Sequence, residues 1–168
     1  MNHVKNQIDV LPFNGGRCRQ VADLIVNIQQ NEFDLPITAA DQPDLQDIPG
    51  FYQNGSGNFW TAELGGRVVG TIALLDIGSG EAALRKLFVE APYRGRSYGI
   101  ADELLKTLHQ WAEEKKIQSI YLGTTSKFLA AHRFYEKNGF ELIEKRELPG
   151  SFPVMSVDTR FYRYDYNT

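Results

Sequence analysis

Apolar residues recur along the chain in two periods, and those periods predict the elements. Ile8, Val10 and Leu11 mark a first strand over residues 5–13. After Asn14-Gly15-Gly16, the helical spacing of Val21, Leu24, Ile25 and Ile28 predicts a helix over 17–31. Residues 32–57 then lose all periodicity and carry Pro36, Pro43, Pro49, Gly50, Gly55 and Gly57. This reads as loops around short helical turns, and so long an irregular stretch in a compact domain is often a binding loop. Strands follow over 58–64 and 67–77, joined by Gly65-Gly66, a dipeptide suited to a tight hairpin. A third runs over 82–89, beyond Gly78-Ser79-Gly80. The strongest helix covers 99–116, where Ile100, Leu104, Leu105, Leu108, Trp111 and Ala112 make one stripe. Lys115 and Lys116 fall in its last turn, where cations complement the helix dipole. A short buried strand over 117–122 leads to Ser126, a candidate cap for a helix over 127–138 that Gly139 stops. Strands over 140–147 and 155–166 flank Pro149-Gly150. The sum is a mixed α/β domain: a meander of three antiparallel strands, then strand–helix–strand–helix–strand.

Composition bounds the function. At 168 residues the chain is expected to form one domain over 1–168, within the usual range of about 100–200 residues. Hydrophobic residues at 42% and charged residues at 23% argue against disorder. A net charge of −3 is no footprint for whole-surface nucleic-acid binding, although it permits a local basic pocket. The single cysteine, Cys18, excludes a disulfide framework or a multi-cysteine metal site and fits a reducing compartment. The histidines lack metal-ligand spacing, and His132 reads as a surface helix residue, so no metal is expected. The greasiest stretch, 68–75, is interrupted by Gly70 and Thr71, and the first residues lack the apolar core of a signal peptide. The expectation is a soluble, cytoplasmic protein without a membrane partner.

Candidate chemistry concentrates in residues 84–100, LRKLFVEAPYRGRSYGI. A strand ends at Val89, and a loop containing Arg94, Gly95, Arg96 and Gly99 feeds directly into a helix. Helix N-termini present unpaired N–H groups and partial positive charge, glycine permits close backbone approach, and arginine adds fixed charge. Such a loop suits a diphosphate; the alternative is an exposed basic turn. Neither the P-loop pattern nor the Gly-x-Gly-x-x-Gly dinucleotide spacing is present.

The second segment is Phe134-Tyr-Glu-Lys-Asn-Gly-Phe140. Phe134 and Phe140 read as aromatic anchors around a helix stop. Tyr135 shares a helix face with Phe128 and Ala131, and a hydroxyl ending an apolar face wants a partner.

Together, LFVEAPYRGRSYGIADELL and AAHRFYEKNGF resemble the GNAT family of N-acetyltransferases. The family pattern is a strand ending in Val, then Arg/Gln-x-x-Gly-x-Gly/Ala at a helix start, then a distal Tyr-Glu-x-x-Gly-Phe. Two positions depart from it. The first motif glycine is Ser97, which keeps a backbone N–H but would be strained if the site needs positive φ. The position seven before the tyrosine, often Asn in the family, is Phe128.

The resemblance implies a GNAT-like fold: a central mixed, mostly antiparallel sheet with a splayed parallel pair, flanked by helices. It implies acetyl-CoA as co-substrate, a direct transfer of the acetyl group to a primary amine of a small molecule or protein, and a possible homodimer. By position, the backbone of Leu87, Phe88 and Val89 would pair with the pantetheine arm like an added strand. The amides of Gly95, Arg96, Ser97, Tyr98, Gly99 and Ile100 would cradle the pyrophosphate, with the Arg94 and Arg96 side chains nearby. Tyr135 matches the usual proton donor to the leaving thiolate. With period two, Arg85, Ala83 and Glu81 would share a face with Val89 on the acceptor side. Arginine cannot act as a base, which leaves Glu81, acting through water, as the candidate. Arg85 instead suggests a partner for an acceptor carboxylate, against the alternative of a surface salt bridge. The 32–57 loop, with Phe51 and Tyr52, would cover the acceptor. A non-catalytic acyl-CoA sensor of the same fold is the alternative reading.

Overall fold

The computed structural model describes residues 7–166. Seven strands form one sheet: β1 (Ile8–Pro12), β2 (Asn58–Leu64), β3 (Arg67–Gly78), β4 (Glu81–Val89), β5 (Ser119–Thr124), β6 (Glu141–Ile143) and β7 (Arg160–Asp165). The spatial order is β1-β2-β3-β4-β5-β7-β6, and β4–β5 is the parallel pair. The antiparallel run is therefore four strands long, because β1 folds back onto β2 with Ile8 opposite Leu64 and Pro12 opposite Trp60. The expected start of the first strand, at residues 5 and 6, lies outside the described residues.

Helices cover both faces. On one face α1 (Cys18–Asn27) and the short α2 (Ile48–Tyr52) bury Val21, Ile25, Ile48 and Tyr52 against Phe59 and Ala73. On the other, α3 (Ile100–Glu114) and α4 (Leu129–Lys137) pack Leu104, Leu108 and Tyr135 on Ile72, Leu84 and Leu122. The predicted stripe of α3 is the buried one, although Trp111 is only half-buried and donates its indole N–H to the Ser56 carbonyl at 2.8 Å.

Several boundaries differ from the sequence pattern. The first helix changes to a π-type turn over Ile28–Glu32. α3 ends before Lys115 and Lys116; Lys115 instead places its ammonium over the Trp111 ring. Ser126 caps nothing: its own N–H is taken by the Thr159 hydroxyl, and the helix starts at Leu129 behind Phe128. The strand expected over 140–147 stops at Ile143, because Glu144 and Glu147 form a reciprocal capping box around a 3₁₀ turn. The last strand begins only at Arg160, since Met155 and Asp158 close a turn on each other. His132 is buried, its Nε2 2.9 Å from the Thr125 carbonyl, and is not a surface histidine. No helix among the described residues is long and apolar enough to cross a membrane.

Candidate functional site

β4 and β5 are paired only at Glu81–Ser119, Ala82–Ile120 and Ala83–Tyr121. Beyond Ala83 they diverge, and β4 leaves one edge without a strand partner toward the gap. Three connected concavities run along that gap. The first lies over the loop before α3 and is lined by Gly95, Arg96, Gly99, Ile100 and, from α4, Lys137. The second is apolar, with Leu87, Val89, Phe33, Phe128 and Ala131 in its walls. The third is polar and holds Arg85, Lys86, Tyr135 and Asp158. Val89 and Arg94 border the first two, while Leu87, Phe88, Phe128 and Ala131 border the second and third.

The loop is built as a set of donors. Gly95 (φ +102°) and Gly99 (φ +63°) take the left-handed backbone that glycine tolerates. The Gly99 N–H turns back to the Gly95 carbonyl, whereas the amides of Arg96, Ser97, Tyr98, Ile100 and Ala101 find no acceptor among the described residues. Ser97 is not among the positive-φ residues, so its side chain adds no backbone strain. The two arginines have different tasks. Arg96 is exposed and borders the concavity. Arg94 donates through Nε to the Val89 carbonyl and makes a bidentate pair with Glu32 at 2.8 and 2.9 Å. It ties the loop to the end of the first helical segment instead of offering a free charge.

In the apolar section, Phe128 packs edge-to-face on Phe33 at 4.5 Å and on Phe88 at 6.2 Å. The residue that departs from the family pattern thus closes one wall with aromatic area.

The polar section depends on a β-bulge. Thr71 pairs with Phe88 and Ala73 with Arg85, so β4 uses one residue more than β3. Lys86 takes up the extra step at φ +57°, and the Thr71 hydroxyl satisfies its carbonyl at 2.7 Å. The bulge breaks period two. Leu84, Leu87 and Val89 pack on the α3 side, while Ala83 and Phe88 pack elsewhere. The expectation that Arg85 and Glu81 share a face with Val89 therefore fails, because strict alternation does not survive an inserted residue. Glu81 sits where β4 and β5 are still zipped, 3.3 Å from the Tyr121 hydroxyl, and is not a wall of the cleft. The structure does not bring it to Tyr135.

Arg85 is in the cleft and makes no salt bridge among the described residues. Its guanidinium meets the Met155 sulfur at 3.3 Å and lies over the Phe51 and Tyr52 rings. Lys86 is buried and committed. Its ammonium lies 3.5 Å from Asp44 and donates to Gln42, which in turn exchanges amide bonds with Gln29. Tyr52 donates to the same Asp44 at 2.6 Å. Burial lowers the Lys86 pKa from 10.5 to about 8, against the pull of Asp44. Tyr135 is 5% exposed, and its hydroxyl has no hydrogen-bond partner among the described residues. Burial first, and Tyr162 second, hold its pKa above the ordinary phenol value, so it stays protonated at neutral pH.

Comparison with known proteins carries the same pattern. A family model described as the acetyltransferase (GNAT) family matches residues 22–140. The chain belongs to the GNAT family of acetyltransferases. A GNAT acetyltransferase from Staphylococcus aureus Mu50 is 39% identical, with a TM-score of 0.91 over 94% of this chain and 98% of that one. An acetyltransferase from Streptococcus agalactiae 2603 is 34% identical, with a TM-score of 0.89 over 95% and 99%. The N-acetylaspartate synthetase of Xenopus tropicalis is 36% identical over 132 residues, 72% of this chain but 47% of that enzyme. The chain thus spans about half the length of that curated relative. In this GNAT protein the loop before α3 and Tyr135, both singled out from the sequence, border the gap; Lys86 and Asp158, which the sequence pattern did not single out, line its third section, with Asp44 paired to Lys86. Two consecutive charges, Arg85-Lys86, inside an apolar strand were the available sign of a bulge.

Proposed function

We propose that this protein transfers an acetyl group from acetyl-CoA directly to a primary amine. The observation that carries this reading is the order of the cleft behind the splayed β4–β5 pair: open amides, then apolar walls, then Tyr135. A diphosphate, a pantetheine arm and a thioester follow one another in the same order along the co-substrate. In this reading the open amides of Arg96, Ser97, Tyr98, Ile100 and Ala101, with the Arg96 side chain, hold the pyrophosphate, while the Gly99 N–H is spent on the Gly95 carbonyl. The edge of Leu87, Phe88 and Val89 pairs with the pantetheine amides. Arg94 acts by holding the loop in shape. Tyr135 gives its proton to the leaving sulfur as the C–S bond breaks and recovers one from the nitrogen as the amide forms. The uncommitted guanidinium of Arg85 suits an acceptor that carries a carboxylate, as does the amino-acid product named for the Xenopus relative.

Calorimetric titration with coenzyme A and an assay of thiol release test the proposal. The Tyr135→Phe variant is expected to lose about 10²-fold in kcat, in line with general acid catalysis, while coenzyme affinity stays within about twofold. Absence of coenzyme binding would sink the reading. Coenzyme binding with no amine-dependent thiol release would leave a sensor.

A further inference from the structure

The third section of the cleft lacks an obvious proton acceptor on β4. Asp158, in the turn before β7, faces it from the other side. Its position is built. The Met155 N–H donates to Oδ2 at 2.9 Å, and the Asp158 N–H returns to the Met155 carbonyl at 3.0 Å. Across from it, β5 carries Gly123, where a Cβ would lie 2.6 Å from Oδ2. Any other residue there would displace the carboxylate. Oδ1 has no partner among the described residues, and Asp158 borders the same cavity as Tyr135 and Arg85. Met155 touches both charges, Asp158 through its N–H and Arg85 through its sulfur.

The charges around that cavity leave a defined remainder. Lys86 is neutralised by Asp44. Arg85 has no anionic partner, and Asp158 has one free oxygen. β5 contributes Gly123 and no charge at this point, and α4 contributes the protonated Tyr135. One uncommitted cation and one uncommitted anion therefore face a cavity whose other walls are uncharged, from apolar Leu35, Ile37 and Phe152 to the neutral polar Gln29, Thr124 and Thr125.

We propose that the acceptor is a free α-amino acid with an uncharged side chain, its carboxylate on Arg85 and its ammonium on Asp158, which takes the proton that frees the amine. This rests on the acetyl-transfer reading. Asp158 removes one proton from the ammonium, and the neutral nitrogen attacks the thioester carbonyl. The N–C bond forms, the C–S bond breaks, and the sulfur leaves as thiol with the Tyr135 proton. The second nitrogen proton restores Tyr135, and Asp158 returns its proton to solvent. Burial raises the Asp158 pKa, opposed by the Met155 N–H, Arg85 and Lys86, which moves it toward the range of a working base. Among the described residues that line the cavity no second free cation is present, so a dicarboxylic amino acid fits poorly.

The test compares leucine, aspartate and isoamylamine, which is leucine without its carboxylate, as acceptors with acetyl-CoA. Leucine is expected to exceed both others in kcat/KM by about tenfold or more. Asp158→Asn should lower kcat at pH 7 by about 10²-fold, with activity returning as pH approaches the amine's own pKa. Coenzyme affinity within about twofold of the parent reports that the variant is folded, and Asp158→Glu should recover part of the rate. Equal use of isoamylamine or aspartate would overturn the proposal, as would an Asp158→Asn enzyme with the parent rate and pH profile. No turnover of any amine by a coenzyme-binding protein would overturn acetyl transfer itself, and this inference with it.

Discussion

At the residue scale, Lys86 shows how a charge can be forced inside. Its left-handed backbone costs about 1–2 kcal/mol, and its ammonium is stripped of water. Asp44, Gln42 and the Thr71 hydroxyl offset this. Removing the cation alone should leave Asp44 buried and unpaired. Lys86→Met is therefore expected to destabilise the fold by about 3–5 kcal/mol at pH 7 in urea unfolding. Adding Asp44→Asn, which keeps an acceptor for Tyr52, should recover most of that loss. The pH dependence has a definite sign. Between about 8 and 10.5 the native amine is neutral while the unfolded one is protonated. The unfolded state then binds more protons, so stability rises with pH across that window. The parent should show this rise relative to Lys86→Met; parallel curves would contradict it. Arg85 and Lys86 are both visible in the sequence, but which one is committed depends on Asp44, far away along the chain.

At the element scale, the loop between β4 and α3 works because its amides stay open while its ends are tied. Arg94 supplies one tie, to Glu32 and to the Val89 carbonyl. Glu32→Gln removes a negative charge near the proposed diphosphate site, which simple electrostatics expects to strengthen binding. The structure predicts the reverse: coenzyme A affinity should fall about twofold to fivefold, the scale of a partly exposed ion pair. Arg96→Ala should weaken binding as well, and its effect should shrink with added salt, because that charge acts directly. Tighter binding by Glu32→Gln would show that Arg94 serves the phosphates. The helix stripe of α3 and the Gly-rich loop were legible because both are local patterns. The bulge was not, because its register is set against β3, and one inserted residue reverses the faces of all that follow.

At the scale of the whole molecule, the site sits where α3 lies close on the sheet. Gly70 of β3 makes that approach possible: a Cβ there would lie 3.0 Å from Ile100 Cγ2 and 3.3 Å from Leu104 Cδ1. Ile100 is the first residue of α3 and carries one of the open amides. Gly70→Val should cost about 1–3 kcal/mol by overpacking. That corresponds to a fall in Tm of roughly 3–10 °C for a chain of this size. Coenzyme affinity should fall with it, since the helix start must move. An unchanged Tm by calorimetry would contradict this close packing.

Local chemistry determined much of this protein from the sequence alone. Periodicity set the kinds of elements and most of their order, and glycine and arginine before a helix marked the loop whose amides stay open. Tyr135 was legible because an apolar helix face ended in a hydroxyl. Tertiary structure decided the rest: how far β4 and β5 stay paired, which way β4 faces after Lys86, and that Asp158 and Arg85 border one cavity. Those relations join residues distant along the chain, and the free energy that fixes them is burial and pairing between elements, which no single segment contains.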